Sequence, residues 1–467
     1  MFPGAPGVEL NGRKILVVGL GKTGVGLCRF LASQKAQVTV TDSAPAADLA
    51  QSLTAIQDLD LTLDLGRPQP ADWLNFDLII PSPGAPPEQP WLQDAVAHGI
   101  PLWGELEVAG WHLKRPVAAI SGTNGKTTTT TLVGKMLLAS GKRPLVGGNI
   151  GTPLVDLLSQ QAEADCIILE VSSFQLDTAP SFRPRAAALL NISEDHLDRY
   201  PDFQAYARSK AGLFRRQGPS ETAVLNADDP KAAALADQVQ SQVYLFSTRK
   251  KLTFGAWQAG ESLRVCLARG PEAKFPLNKI VLPGRHNLEN IMAALLLALE
   301  MGATPQGCAE ALARFKGLPH RLEWVANIGG VDFYDDSKGT NVGAVVRSLE
   351  HFDRPVVLIA GGRDKGGDYR PLSALLRQRV KKVILLGEAQ DKIAAALSGA
   401  ALMQPAADMA QAVELAYAAA TSGEVVLLSP ACSSFDMFRD YAERGRVFQE
   451  AVRSLAHERH NSRICAA

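Results

Sequence analysis

Twice in this chain an apolar run stops at a glycine loop and passes straight into a helical stretch. The first junction reads "ILVVGLGKTG" and the second "VAAISGTNGKTTTT". A buried strand delivered through a glycine turn to a helix N-terminus opens a βαβ unit. It commits the chain to a mainly parallel sheet with helices on its faces. Glycines let backbone approach a phosphate, and a helix N-terminus favours an anion. Each junction is therefore a ligand position as well as a piece of fold.

Three segments follow from the pattern. In the first, a strand from Ile15 to Val18 meets the glycine turn, and a second strand (Val38 to Val40) ends at Asp42. "FDLIIPSPG" is a further strand, and the segment closes near "GWHLKRP". In the second, "PVAAI" feeds the loop and "KTTTTTLVGKMLLAS" is a helix that stops at Gly141. The strands "DCIILE", "RAAALLNI" and "TAVLNA" follow, then a long helix that ends at Gly302. The third starts near Leu318 and carries "VDFYDDS", "PVVLIAGG", "KKVILLG" and "EVVLLSP", again a doubly wound α/β pattern. At 467 residues the chain exceeds one hydrophobic core. The expected domains are 1–112, 113–317 and 318–467.

Lys plus Arg equals Asp plus Glu at 48 each, which gives no global pull toward nucleic acid or an anionic membrane. No apolar run approaches the ~18 residues of a membrane span. "ILVVGLG" is short and glycine-broken, a strand and not a signal peptide. The six cysteines form no C-x-x-C pair, and several lie in apolar runs. They read as free buried thiols of a protein in a reducing cytoplasm.

The first loop is ambiguous alone. Gly19 to Gly24 matches G-x-G-x-x-G, and Asp42 lies 23 residues after Gly19. That is a dinucleotide fingerprint, so a dehydrogenase competes with any enzyme that holds a nucleotide diphosphate. The second loop departs from the usual G-x-x-x-x-G-K-[ST], because Ile120 stands where the first glycine belongs. The loop is instead Gly122, Thr123, Asn124, Gly125, Lys126, Thr127. Its backbone N–H groups can wrap a triphosphate, with Lys126 at the terminal phosphates and the Thr127 hydroxyl on Mg²⁺. Thr128 starts the helix, and the threonines beyond it pack. A hydride-transfer enzyme has no need of such a loop. Glu170 ends a buried strand and offers the hard oxygen that Mg²⁺ takes. His196, beside Glu194 and Asp195 at another strand end, is open between a ligand and a structural histidine. By pattern Lys210 is a solvated helix lysine.

Taken together, "GLGKTG", "SGTNGKT", "GGNIGTP", "EVSSFQLD", "NISEDHLDRY", "GRHNLEN", "GLPHRLE", "DDSKGTN" and "LSPACSSFDMF" occur in the order found in the Mur ligases, which the chain resembles over essentially its whole length. That family's short P-loop accounts for the departure at Ile120. The resemblance implies a Rossmann-like N-terminal domain, a central P-loop mononucleotide-binding domain and a Rossmann-like C-terminal domain. It also implies ATP-dependent amide formation in peptidoglycan precursor synthesis. "EDHLDRY" and "SPACSSFDMF" favour the D-glutamate-adding branch. ATP would phosphorylate the alanyl carboxylate of UDP-N-acetylmuramoyl-L-alanine, and the D-glutamate amine would attack the acyl phosphate. A soluble cytoplasmic monomer with no nucleic-acid or membrane partner suffices for that.

The resemblance also implies roles. Gly122, Thr123, Asn124, Gly125, Lys126, Thr127 and Thr128 would hold ATP phosphates, with Asn287 and Asn290 near the adenine and Arg321 and Asp336 at the nucleotide. Thr127 and Glu170 would hold one Mg²⁺. His196 and Lys210, the latter carbamylated, would hold a second; Lys126, His196 and Lys210 are the expected catalytic set. Gly21, Lys22, Thr23, Asp42, Ser43 and Gly84 would grip uridine diphosphate, and Asn149, Ser172 and Gln175 the muramoyl-alanine part. Lys338, Thr340, Lys365, Ser434 and Phe435 would surround D-glutamate. Arg363 and Asp364 displace the family's glycine before Lys365, and Tyr441 stands where a relative has Phe.

Overall fold

The computed structural model describes residues 9–282 and 284–465. It contains three sheets, one in each expected segment, and divides into two compact units. One unit takes the described residues through Ile192 with Tyr206–Val281 and Asn287–Phe315. The other takes Ser193–Ala205, Leu282–His286 and the described residues from Lys316 onward.

The first unit holds two sheets. The smaller is all parallel, in the order Thr62–Leu65, Gln37–Asp42, Lys14–Val18, Leu78–Pro81. Ile15, Leu16 and Val17 at its centre are fully buried. The larger has nine strands. Pro144–Gly148, Cys166–Glu170, Val117–Ser121, Ala186–Leu189, Thr222–Asn226, Gln242–Ser247 and Gly255–Ala259 run parallel. Ser262–Cys266 and Ala273–Pro276 close it antiparallel. The strands from Val117 and Ala186 are buried throughout, as their unbroken apolar sequences require of strands covered on both faces. The register sets Ile120 opposite Glu170, so the carboxylate emerges at the edge where the second glycine loop begins.

The second unit has one six-stranded sheet, in the order Glu323–Ile328, Val331–Asp335, Val425–Leu428, Val356–Gly361, Val380–Leu386, Leu402–Pro405. Only the first strand is antiparallel. Val425–Leu428 lies between the strands from Val331 and Val356, so the loops that leave these three carboxyl ends gather at a switch of strand order, the usual ligand edge of such a sheet. They are "DSKGTN", "GRDKGG" and "SPACSS". Among the described residues, Cys28, Cys166, Cys308 and Cys432 are buried free thiols. Burial pushes Cys28 and Cys308 up to about 12. No helix among the described residues is long and apolar enough to cross a membrane.

Candidate active site

The second glycine loop is held by atoms far away in sequence. Gly122 and Gly125 take φ of +147° and +87°, where a side chain is strained. A Cβ on Gly125 would stand 2.1 Å from Asn290 Oδ1. Asn191, 3% exposed, clamps the loop from beneath. Its carbonyl accepts from Thr123 N at 3.0 Å, its Oδ1 from Asn124 N at 2.9 Å, and its Nδ2 donates to Asn124 O at 3.0 Å. Lys126 folds back, its Nζ donating to the carbonyls of Gly122 (2.8 Å) and Thr123 (2.9 Å). Thr127 is half-buried on the first turn of the helix Lys126–Ala139, while Thr129 and Thr130 are fully buried and pack as expected.

Lys210 is not a solvated lysine. It is 2% exposed, on the helix Phe203–Ala211, with Nζ donating to Gly122 O at 3.0 Å and lying 4.7 Å over the Tyr206 ring. The reason is packing. Tyr206 and Ser209 share its face, Tyr206 meeting Thr123 Oγ1 at 3.1 Å and Ser209 donating to Ser173 O. Glu170, also 3% exposed, accepts from Asn149 Nδ2 at 3.2 Å through Oε1, while Oε2 is buried with no hydrogen-bond partner. A buried carboxylate oxygen left over beside a phosphate loop has the chemistry of a hard divalent-cation ligand, and Mg²⁺ fits it.

The first glycine loop borders a cavity of about 760 Å³. Gly21, Lys22, Thr23, Asp42, Ser43 and Gly84 line it, joined by Asn149, just past the strand Pro144–Gly148, and Gln175, on the helical turn Ser173–Asp177. Asp42 accepts from Leu20 N at 2.7 Å and Ala44 N at 2.9 Å, so it braces the loop. Ser172 caps the turn Ser173–Asp177 and is not among the lining residues.

In the second unit a cavity of about 340 Å³ is lined by Asp195, His196, Thr340, Asn341, Lys365 and Tyr369, among others. Asp195 organises it, with Oδ1 2.9 Å from Lys365 Nζ and Oδ2 accepting from Asn341 Nδ2 at 3.0 Å. His196 has φ +56° and its Nε2 lies 3.7 Å from Asp195 Oδ2. Arg363 turns outward to Glu388, and Asp364 accepts from Tyr369 Oη, which leaves Lys365 facing the cavity. Lys338 Nζ sits 3.6 Å above the Tyr441 ring, a cation–π seat. Asp336 is buried, accepts from the hydroxyls of Ser348 (2.6 Å) and Ser429 (2.7 Å), and is pushed up to about 6 by burial; Arg321 faces it. Ser434 is buried and Phe435 is 63% exposed; neither is among the lining residues of this cavity. Arg444, 2% exposed, ties two of the loops together. Nε and Nη2 donate to Ser337 Oγ and O, and Nη1 and Nη2 to the carbonyls of Cys432 and Ser433. Asn191 and Arg444 carry no local sequence signature; their roles lie in contacts across 67 and 107 residues.

Sequence models of three domain families match in order. They are "Mur ligase MurD-like, N-terminal domain" over residues 13–104, "Mur ligase middle domain" over 120–298 and "Mur ligase, glutamate ligase domain" over 320–432. A UDP-N-acetylmuramoylalanine–D-glutamate ligase of Geotalea daltonii is 50% identical over 449 residues, 96% of this chain and 99% of that protein. The enzyme of that name from Syntrophus aciditrophicus is 44% identical over 451 residues, with 96% and 99% covered. Among solved structures, a pseudomurein peptide ligase type C from Methanothermus fervidus superposes with a TM-score of 0.61 at 18% identity, covering 95% of this chain and 100% of that one. UDP-N-acetylmuramate-alanine ligase MurC from Thermotoga maritima gives 0.56 at 19% identity, with 95% and 99% covered. These two share the fold.

Proposed function

The chain belongs to the Mur ligase family, and from that premise we propose that it joins D-glutamate to UDP-N-acetylmuramoyl-L-alanine with hydrolysis of ATP, in peptidoglycan precursor synthesis. The observation that carries this reading is identity of 44–50% across nearly the whole chain with ligases of that one specificity. The rival dehydrogenase reading loses its footing, because the second loop with Lys126 has no part in hydride transfer.

Residues 1–112 hold the uridine diphosphate end of the acceptor, 113–317 hold ATP, and 318–467 hold D-glutamate; a monomer carries all three. Carboxylate oxygen is a poor leaving group and phosphate a good one, so the alanyl carboxylate is activated first, as an acyl phosphate. The Gly122–Thr128 backbone and Lys126 seat the ATP phosphates, and the ammonium offsets charge that develops on the transferred group. Asn287, Asn290, Arg321 and Asp336 serve the rest of the nucleotide. Gly21, Lys22, Thr23, Asp42, Ser43 and Gly84 grip the diphosphate and uridine, and Asn149, Ser172 and Gln175 the muramoyl-alanine. Lys365, held by Asp195, orients a carboxylate of D-glutamate, with Lys338, Thr340, Ser434 and Phe435 around it.

Mg²⁺, which the family uses with ATP, supplies charge screening and Lewis acidity at the transferred phosphate. Thr127 and the spare Glu170 oxygen would hold one ion. His196 and a carbamylated Lys210 would hold a second, since a carbamate turns an ammonium into an oxygen donor.

The test is phosphate release by purified protein with ATP, UDP-N-acetylmuramoyl-L-alanine and each of D-glutamate, L-alanine, L-lysine and diaminopimelate. D-Glutamate should be the one productive amino acid. Faster turnover with L-lysine or diaminopimelate would refute the specificity and leave the family standing.

A further inference from the structure

Glu105 is a charged side chain with 3% exposure that none of the roles above uses. It begins the helix Glu105–Gly110. The preceding Gly104 is pressed on the turn that follows Gln175: its N–H donates to Thr178 O at 2.8 Å, and a Cβ there would lie 2.2 Å from Thr178 Oγ1. Glu105 does not itself line the cavity of about 760 Å³, but the segments packed against it, from Pro153 to Val155 and around Gln175, adjoin residues that do.

On one side Glu105 Oε1 accepts from Val155 N at 2.9 Å, and the neighbouring Leu154 N–H also favours its charged form. These are the first N–H groups of the helix Leu154–Leu157, directly after the loop Gly148–Pro153. Gly148, Asn149, Ile150, Gly151 and Pro153 of that loop line the cavity. On the other side the Gln175 side chain lies close enough to favour the charged form of Glu105. Gln175 Oε1 is already occupied by Ser172 N (3.0 Å) and Ser172 Oγ (3.1 Å). An ionised carboxylate only accepts, so of the two ends of the Gln175 amide it favours the NH₂ facing it, which leaves Oε1 to Ser172.

We propose that Glu105 is a positioning residue for the UDP-linked acceptor: one buried carboxylate sets both the Gly148–Pro153 loop and the Ser172–Gln175 turn against the muramoyl end of the substrate. The proposal rests on the reading that this cavity takes UDP-N-acetylmuramoyl-L-alanine. Charge is what does the positioning, because a protonated or amide side chain offers a donor where the N–H groups and Gln175 need an acceptor. Burial pushes Glu105 up to about 7, and the Asp156 carboxylate facing it adds to the effect. Asp156 is itself raised by burial, with Lys22 and Arg29 opposing. Positioning is therefore lost as the pH falls through neutrality.

Calorimetric binding of UDP-N-acetylmuramoyl-L-alanine and steady-state kinetics, from pH 6 to 8.5, test this on wild type, Glu105→Gln and Glu105→Asp. Wild type should bind the acceptor more weakly at pH 6 than at pH 8. Glu105→Gln should raise its Kd and KM by about tenfold or more at pH 8, the scale of losing hydrogen bonds to a charged group. That value should stay flat with pH, with KM for ATP and for D-glutamate within about twofold of wild type. Glu105→Asp should be intermediate and keep the pH dependence. Unchanged acceptor binding in Glu105→Gln, the same pH dependence in that variant, or an equal loss for all three substrates overturns the role. The wild-type series stands even if a variant fails to fold, and acceptor affinity that does not weaken at pH 6 overturns it too. Wild type that binds no acceptor at any pH overturns the reading of the cavity itself, a result distinct from binding that ignores Glu105.

Discussion

Replacing Arg444 by methionine should loosen the second unit by a predictable amount. The guanidinium sits among the carbonyls of Ser337, Cys432 and Ser433 and the Ser337 hydroxyl, at 2.8–3.2 Å. Methionine fills much of the volume and takes these donors from four acceptors; Ser433 O keeps Arg363 N, so three buried acceptor atoms are left bare, at roughly 1–3 kcal/mol for each group. Against this, burial pushes Arg444 down to about 10 from 12.5. That desolvation, on the order of 3 kcal/mol, is relieved when the cation goes. Three groups at 1–3 kcal/mol each, less that relief, leave a net loss of about 3 kcal/mol at mid-range and about 6 at most. For a unit of this size the mid-range value lowers the melting temperature by roughly 6–12 °C. Because the same bonds tie the loop of Lys338 and Thr340 to that of Ser434, KM for D-glutamate should rise more than KM for ATP. Arg444→Lys keeps the charge with fewer donors and should lose less on both counts. Differential scanning calorimetry and amino-acid titration of phosphate release measure the two effects. A methionine variant with wild-type melting and wild-type KM for D-glutamate refutes the reasoning.

Three further outcomes follow from particular side chains. Lys126→Ala should lower kcat by ~10²-fold or more while far-UV circular dichroism stays unchanged, since its ammonium serves phosphate charge and not the core; near-normal turnover would reassign the loop. Lys210→Ala should be nearly inactive and regain part of its rate with added short-chain carboxylate, whereas full activity in Lys210→Arg would discard the carbamate. Glu105, raised from 4.5 to about 7 in the fold, holds a proton that the unfolded chain releases between those values. Stability from this group is thus highest at low pH and declines by about 3 kcal/mol as pH rises from 4.5 through 7. Denaturant titrations should show that slope in wild type and its absence in Glu105→Gln.

The architecture was legible because strand, glycine loop and helix follow one another within a few residues. The strands from Lys14, Val117, Cys166 and Ala186 are apolar runs that nothing but a buried parallel strand explains. The closing strands Gly255–Ala259, Ser262–Cys266 and Ala273–Pro276 were not legible, for "GAWQA" and "SLRVC" mix polar and apolar residues at the sheet edge. In the site, residues that touch a ligand stand in short motifs, while those that hold the motifs in place do not. Asn191 reads as an ordinary strand end until its side chain meets Asn124. The displaced residues before Lys365 have a physical account as well: Arg363 and Asp364 are engaged by Glu388 and Tyr369. Lys210 was misread on pattern because its helix is polar on average. Only the packing of Tyr206 and Ser209 reveals which face is inside.

The central claim is that the alanyl carboxylate is phosphorylated before the amide forms. Acceptor labelled with ¹⁸O in that carboxylate, turned over with ATP and D-glutamate, tests it by mass spectrometry of the released phosphate. The account predicts one ¹⁸O in each phosphate, carried from the carboxylate through the acyl phosphate. Phosphate free of label, alongside normal amide product, would contradict it.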